Sequence, residues 1–254
     1  MMHYGCAPIA GLNNRLRGII SLWRFQDTFG RYEPECEFSL NWPITSIVPG
    51  KYSDVLLNPM VLNDADTPNQ VGWRLQVYQN EISPTWAKVK PYTNQPAIDF
   101  EYERIPLVVR DKILPYFDRL QFHPNIITKS MGIKLEPRTI GVHCRNAVDW
   151  DKYSRNIDLQ EYFNTIDQYF PTEPIYLIAH SEEVVAEFIK RYGSRIQTQP
   201  DKDYSSGTPT QLQHAVVDMK VVSKLPSYLG DGYSSYTANI WWLGGCKARV
   251  LRLM

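Results

Sequence analysis

Cysteine is scarce in this chain and shows no pairing pattern. Cys6, Cys36, Cys144 and Cys246 are scattered, with no C-x-x-C spacing. That excludes the common structural zinc motifs and argues against a disulfide framework in a chain of this size. Cys144 lies in an apolar run and reads as a buried thiol rather than a nucleophile. An excess of charge of either sign is also missing, since Lys plus Arg and Asp plus Glu are equal at 27 each. No overall field pulls the chain towards nucleic acid or an acidic membrane surface, so any anion site is local. There is no apolar run of about 18 residues, no leader pattern of basic then apolar residues, and no Asn-x-Ser/Thr sequon. These absences lead to the expectation of a cytoplasmic, reduced setting, with no membrane span and no nucleic-acid partner.

What is present is material for a large core: 254 residues, with seven Trp and sixteen Tyr. That length fits one large domain or two small ones. The C-terminal half has a strand–helix rhythm. Apolar runs at 139–144, 175–179, 195–198, 228–230 and 249–253 have the length of buried strands. Between them, Leu159, Tyr162, Phe163, Ile166 and Phe170 fall on one helical face behind Asp158 as N-cap. Val184, Val185, Phe188 and Ile189 form another face, with Ser181 as cap and Gly193 as stop. Leu212, Val216, Met219, Val222 and Ser223 repeat the pattern, and Thr237 to Leu243 make a short last helix. Such alternation predicts a parallel sheet covered on both faces.

The N-terminal half is less regular. Gly11 to Arg15 reads as a turn entering a helix with Leu16, Ile19, Ile20 and Trp23 on one side. A strand is expected over 37–42, closed by Pro43, and a helix opened by Pro106 carries Val109, Ile113 and Phe117, with Pro115 inside it. Residues 58–104 are rich in Pro, Asn, Asp and Thr and lack sustained periodicity. That is long for a loop, so short strands are expected within it. Residues 132–138 read as a linker, which divides the chain into 1–134 and 135–254.

Polar residues gather where predicted strands end, the edge at which open parallel sheets bind ligands. Arg145 follows the 139–144 strand. Its guanidinium presents parallel N–H donors suited to phosphate oxygens, and it is equally placed to pair with Asp149 or Asp151. Ser234, Ser235 and Thr237 sit at a predicted helix start, where free N–H groups favour an anion; serine and threonine are also ordinary N-caps. Asp218 lies on a helix among valines, where a carboxylate needs a partner. It either accepts from a guanine N–H pair or caps a neighbouring backbone. His143 is either a satisfied core histidine or a site residue. Asn14 and Arg15 open the first helix, so capping is the plain explanation for Asn14.

The run Ile140-Gly-Val-His143-Cys-Arg145-Asn-Ala-Val-Asp149-Trp150 resembles the H-x-R-x-G-x-D-W signature of GDP-fucose protein O-fucosyltransferases. Ala215-Val-Val-Asp218 through Ser234-Ser235-Tyr236-Thr237-Ala238 is similar to a later signature of that superfamily, which also includes α-1,6-fucosyltransferases and nodulation fucosyltransferases. Gly11-Leu-Asn13-Asn14-Arg15-Leu16 resembles the G-L-G-N-R-L turn that opens bacterial members. Trp42-Pro43 and Tyr52-Ser-Asp-Val-Leu56 echo their first domain. The resemblance spans both ends and the centre but not 60–104. Asn13 stands where the family turn has glycine, and Ala147 where its arginine motif has one.

The resemblance implies an α/β, GT-B-type fold: two Rossmann-like domains with parallel sheets facing a cleft, the N-terminal one reduced. It implies an acceptor-side domain at 1–134 and a nucleotide-sugar-binding domain at 135–254. It further implies an inverting, metal-independent glycosyltransferase that moves a sugar, most simply fucose, from a GDP-sugar to a glycan or other hydroxyl acceptor, with no cofactor. In that reading Arg145 contacts the β-phosphate, Asn14 faces the sugar and leaving group, and Asp218 reads guanine. His143, Ser234, Ser235, Thr237, Arg15 and Asp149 complete the donor contacts. Asp149 is expected to hold the arginine rather than serve as base, with Asp27 and the acidic run Glu33, Glu35 and Glu37 on the acceptor side. The other readings are a transferase using a different nucleotide sugar and a non-catalytic protein that binds the nucleotide sugar or a glycan.

Overall fold

A computed structural model of the chain describes residues 3–6, 11–29, 37–46, 48–60, 62–63, 98–99, 107–145, 158–205, 207–232 and 234–253. The chain divides into two compact units. The first comprises Met1–Pro91, Ile105–Ile126 and Ser205–Gln213; the second comprises Tyr92–Arg104, Ile127–Tyr204 and His214–Met254.

In the first unit, strands β1 (His3–Cys6), β2 (Glu37–Asn41) and β3 (Leu62–Asn63) form a parallel sheet in that order. Strand β1 had no clear sequence signal. Helix α1 (Leu12–Phe29) buries Leu16, Ile19, Ile20, Leu22 and Trp23, the face its periodicity predicts. Helix α2 (Leu107–Asp118) runs through Pro115 and buries Ile113 and Phe117. The two helices pack together, and Arg119 just beyond α2 pairs with Asp27 of α1 at 2.9 Å while lying over the Trp23 ring. An exposed pair of this kind contributes little stability; the buried apolar faces contribute far more, about 1.5–3 kcal/mol per large side chain. A short helix, α3 (Pro124–Gly132), follows. The sequence reading missed it, although proline at a first helical position is a recognised start signal.

The second unit is built on a six-stranded sheet. Its central strand is β5 (Ile140–Cys144), flanked by β6 (Ile175–Ala179) and then β7 (Ile196–Gln197) on one side. On the other side lie β8 (Ser227–Asp231) and β9 (Arg249–Leu253). All of these run parallel, and the short strand β4 (Ile98–Asp99) pairs antiparallel with β9 at the edge. Strands β3 and β4 are the short strands expected within the irregular stretch.

Alternation along the strands assigns each sheet face to its helices. Ile140, Val142, Cys144, Ile175, Leu177 and Ala179 pack with Tyr162, Phe163 and Ile166 of α4 (Leu159–Tyr169) and with Val184, Phe188 and Tyr192 of α5 (Glu182–Tyr192). Phe163 and Phe188 meet edge to face at 5.1 Å, a favoured aromatic geometry. Asp158 caps α4 through the Gln160 N–H, Ser181 caps α5 through the Val184 N–H, and Gly193 ends α5 at φ +57. These are the caps and stop expected from the sequence. Ile189 is a correction: placed on the apolar face of α5 by periodicity, it is exposed.

The opposite face carries α6 (Pro209–Val222) and α7 (Ser235–Leu243). A Cβ added at Gly141 would lie 2.4 Å from Val222 Cγ1, so glycine here lets α6 settle directly on β5.

Candidate functional site

Strand order in the second unit fixes where a ligand can enter. The chain passes from β5 outward to β6 and β7, then returns to place β8 and β9 on the other flank of β5. The order reverses between β5 and β8. In open α/β sheets, ligands bind outside the carboxyl ends of the strands at such a switch point. Here those ends deliver Arg145 after β5, Asp231 at the end of β8, and the start of α7 after it.

The N-terminus of α7 sits directly above the sheet because the residue before the end of β8 is glycine. A Cβ at Gly230 would lie 2.7 Å from both Oγ1 and Cγ2 of Thr237. Ser234 is the N-cap, and its hydroxyl accepts from the Tyr236 N–H at 3.2 Å. Thr237 is fully buried, with its Oγ1 2.9 Å from His143 Nδ1. Its carbonyl accepts from the Tyr228 hydroxyl at 2.8 Å. Of the hydroxyls singled out in the sequence, Ser234 and Thr237 are therefore committed to the protein, while Ser235 is half-buried in the first turn. The helix end still supplies backbone N–H groups and a positive dipole at the switch point.

His143 is buried between these elements. Its ring stacks on Tyr236 with centroids 4.6 Å apart, and burial, then Arg145, Lys202 and His180, hold its pKa down at about 3. It is neutral at physiological pH and is not a proton shuttle there. A consequence concerns stability. An unfolded histidine takes a proton near pH ~6.5, whereas folded His143 refuses one until about pH 3. The unfolded state binds more protons across that window, so stability falls as pH falls through it, with a slope approaching ~1.4 kcal/mol per unit. Denaturant titrations from pH 7 to 4 should show this slope, and His143→Asn, which keeps a polar group near the Nδ1 position, should flatten it. An unchanged slope in the variant would remove His143 as its source.

Arg145 leaves β5 half-buried, and its backbone is tied to the core. The Tyr162 hydroxyl donates to the His143 carbonyl at 3.3 Å and accepts from the Arg145 N–H at 3.4 Å. Burial raises the Tyr162 pKa well above that of a free phenol, which keeps the hydroxyl protonated and the strand end fixed. The sequence reading missed this tyrosine, which looked like ordinary helix core. Cys144 is buried, and burial followed by the Asp231 charge pushes its thiol far up, as fits a core residue rather than a nucleophile.

Asp218 is fully buried on α6. One carboxylate oxygen accepts from the Tyr176 hydroxyl and the other from Lys202 Nζ, each at 2.7 Å. Lys202 also donates to the Ala179 carbonyl at 2.7 Å, at the end of β6. Both carboxylate oxygens thus already serve protein partners.

In the first unit, α1 begins at Leu12, and the N–H groups of Asn14 and Arg15 both bond to the Gly11 carbonyl, at 3.0 and 3.3 Å. Asn14 thus lies inside the first turn, half-buried, and not at the N-cap as the sequence suggested. Asn13 is helical as well, so no left-handed glycine conformation is needed there. Arg15 is buried. It donates to the Pro43 carbonyl at 2.6 Å and to Thr45 Oγ1 at 3.3 Å, and lies over the Trp42 ring at 4.9 Å. Burial lowers its pKa to about 10, still cationic at neutral pH. Trp42-Pro43, singled out in the sequence, is therefore the seat of Arg15. Asp149, Asp151 and Trp150 lie outside the described residues, as do Glu33 and Glu35.

Among the described residues, no cluster of His, Cys, Asp or Glu could hold a metal ion, and no helix is long and apolar enough to cross a membrane.

No protein-family model matches the chain, and no curated protein matches it. Solved structures do. The NodZ alpha-1,6-fucosyltransferase soaked with GDP-fucose matches over 95% of this chain and 92% of its own, with a TM-score of 0.58 and 13% identity. Fucosyltransferase NodZ from Bradyrhizobium matches over 94% and 92%, with a TM-score of 0.55 and 12% identity. POFUT1 in complex with GDP matches over 98% and 97%, with a TM-score of 0.52 and 10% identity. At such identities the likeness is one of fold, and the fold of this chain is that of the GT-B fucosyltransferases.

Proposed function

We propose that the protein is an inverting, metal-independent fucosyltransferase that takes the sugar from GDP-fucose and passes it to a hydroxyl-bearing acceptor such as a glycan. The observation that carries this reading is the arrangement at the switch point, where Arg145 and the α7 N-terminus flank the carboxyl ends of β5 and β8. The fold match to enzymes solved with GDP-fucose and GDP supports it. In this reading the 135–254 segment holds the donor and the 1–134 segment serves the acceptor.

The acceptor hydroxyl attacks the anomeric carbon from the face opposite the diphosphate, and its proton passes to solvent as the new C–O bond forms. The bond from that carbon to the β-phosphate oxygen breaks, and the electron pair leaves with the phosphate. Negative charge grows there in the transition state, and a fixed guanidinium with a helix N-terminus stabilises it more than the ground state. The role given to Arg145 is that electrostatic one, with Ser235 and the first N–H groups of α7 on the remaining oxygens. His143 and Thr237 set the floor beneath the phosphates through their mutual hydrogen bond. Asn14 keeps the role of facing the sugar and leaving group, whereas Arg15, expected among the donor contacts, is engaged by Pro43 and Thr45 and shapes the loop after β2. Asp149 keeps the role of holding Arg145.

A second reading, a different nucleotide in the donor, is favoured by Asp218, whose carboxylate oxygens are already bonded to Tyr176 and Lys202. Titration calorimetry with GDP, UDP and dTDP separates the two. The first reading expects GDP to bind best. Failure of every one of these nucleotides at millimolar concentration removes the donor site altogether. Slow release of free sugar from a GDP-sugar without acceptor would separate catalysis from mere binding.

A further inference from the structure

Strand β5 makes its last pairings at His143, with Gly230 of β8, and at Cys144, with Ala179 of β6. Arg145 follows, so the paired register stops one residue short of it. Tyr162 reaches this point from the N-terminal part of α4. Its ring is fully buried and meets Phe188 edge-on with centroids 6.4 Å apart. A phenol hydroxyl gives one proton and can accept at its lone pairs. Here the proton goes to the His143 carbonyl at 3.3 Å, and the Arg145 N–H donates to the same oxygen at 3.4 Å. One side chain thus spans Cys144 and holds the backbone on either side of it.

The opposite face of the sheet holds His143 by its ring. Nδ1 lies 2.9 Å from Thr237 Oγ1, and the ring stacks on Tyr236 at 4.6 Å. Carbonyl and ring are therefore anchored to different helices, α4 and α7. Without the Tyr162 hydroxyl the ring stays anchored, but the carbonyl and the arginine N–H are released together. Both bonds are long for their kind, so each adds little to global stability. Their leverage is geometric, because a guanidinium rides at the end of a long side chain and swings with its backbone. A misplacement of about 1 Å at reacting groups costs up to roughly a hundredfold in rate.

We infer that Tyr162 is a positioning residue for the transfer reaction, its hydroxyl setting the backbone from which Arg145 reaches the departing phosphate. The inference rests on the donor-site reading above. The phenol acts through geometry and moves no proton. Burial above all keeps its pKa well above that of a free phenol, so it remains a neutral hydroxyl under working conditions.

Tyr162→Phe keeps the ring and deletes only the hydroxyl. In steady-state kinetics with GDP-fucose, kcat should fall about tenfold, the scale of one lost hydrogen bond. Donor KM should stay within about twofold of wild type, because the interaction lost is made in the transition state. The limbs of the kcat–pH profile should keep their positions; a displaced limb would make the phenol a proton carrier and overturn the inference. Tyr192→Phe is the matched control. That hydroxyl also bonds to a backbone carbonyl, of Phe163 at 3.1 Å, and to Asp167 at 3.0 Å. It belongs to the last residue of α5, a helix length from the end of β6. Tyr192→Phe should lose a similar few degrees of Tm and keep wild-type kcat.

The decisive arm is a double-mutant cycle with Arg145→Ala. A hydroxyl that acts through the guanidinium costs nothing further once the guanidinium is gone. A full tenfold loss in that background, wild-type kcat in Tyr162→Phe, or an equal kcat loss in Tyr192→Phe overturns the inference. Should Tyr162→Phe not fold, hydrogen exchange at the Arg145 amide of the wild-type protein takes its place. Slow exchange supports the contact, and exchange at the rate of an open loop overturns it. Transfer that depends on Arg145 but not on Tyr162 removes the positioning role alone. A wild-type protein that neither binds nor turns over GDP-fucose removes the donor-site reading, and this inference falls with it.

Discussion

Arg145→Ala is expected to lower turnover by about 10²–10³-fold while the fold survives, the scale seen when one preorganised donor to a developing oxyanion is removed. Three features of the chain support so large an effect from one side chain. The arginine leaves the central strand of the sheet, at the end that faces the switch point. Its backbone is pinned by the Tyr162 hydroxyl, which bonds on both sides of the Cys144 peptide. The neighbouring His143 is neutral, so it adds no charge to replace what is lost. Arg145→Lys should recover little, because an ammonium keeps the charge but not the parallel N–H geometry. Steady-state kinetics with a GDP-sugar, alongside circular dichroism to check the fold, would measure this. Turnover near wild type in Arg145→Ala would exclude the residue from the chemistry, and a strong rescue by lysine would reduce its role to simple charge.

The second unit was the more legible one because its elements are local and its pattern is regular. Helices α4 and α5 announced both their caps, Asp158 and Ser181, and strands β6 and β9 appear with the bounds their apolar runs suggest. The exposure of Ile189 was not legible, since periodicity marks a broad apolar stripe and tertiary packing decides which edge of it is covered. In the first unit, β1 is only four residues long and pairs with a strand more than thirty residues away, so no local pattern announces it. The same distinction governs the site. Arg145 and the α7 start could be found because strand ends and helix caps are local signals. Tyr162 and Lys202 reach the strand ends only through hydrogen bonds between distant segments. Tyr162 in particular hides as one aromatic in an amphipathic helix.

Breaking the Lys202–Asp218 pair is expected to cost about 3–5 kcal/mol of stability, the range for leaving one charge of a buried pair without the other. Both side chains are shielded, with relative exposures of 8% and 0%. Their hydrogen bonds extend to Tyr176 and to the Ala179 carbonyl, so the pair ties α6 and the segment after β7 to β6. The Tyr176 hydroxyl stays protonated, its pKa raised by burial and by Asp218, and keeps donating to the carboxylate. Asp218→Asn keeps the shape but leaves the Lys202 ammonium without its counter-charge. Lys202→Met removes the ammonium and leaves a carboxylate held by neutral groups. Each should lower Tm by roughly 10 °C, given about 2–4 °C per kcal/mol for a chain of this size. The double variant should lose much less than the sum, because the residues touch and the remaining charge is gone. This cycle also tests the guanine-reading role that the resemblance implies for Asp218. If Asp218→Asn melts like wild type and loses only GDP affinity, the carboxylate is a base reader and its bond to Lys202 is incidental. If it melts early while the double variant recovers both stability and GDP binding, Asp218 is an anchor for Lys202, and the base must be read by other groups.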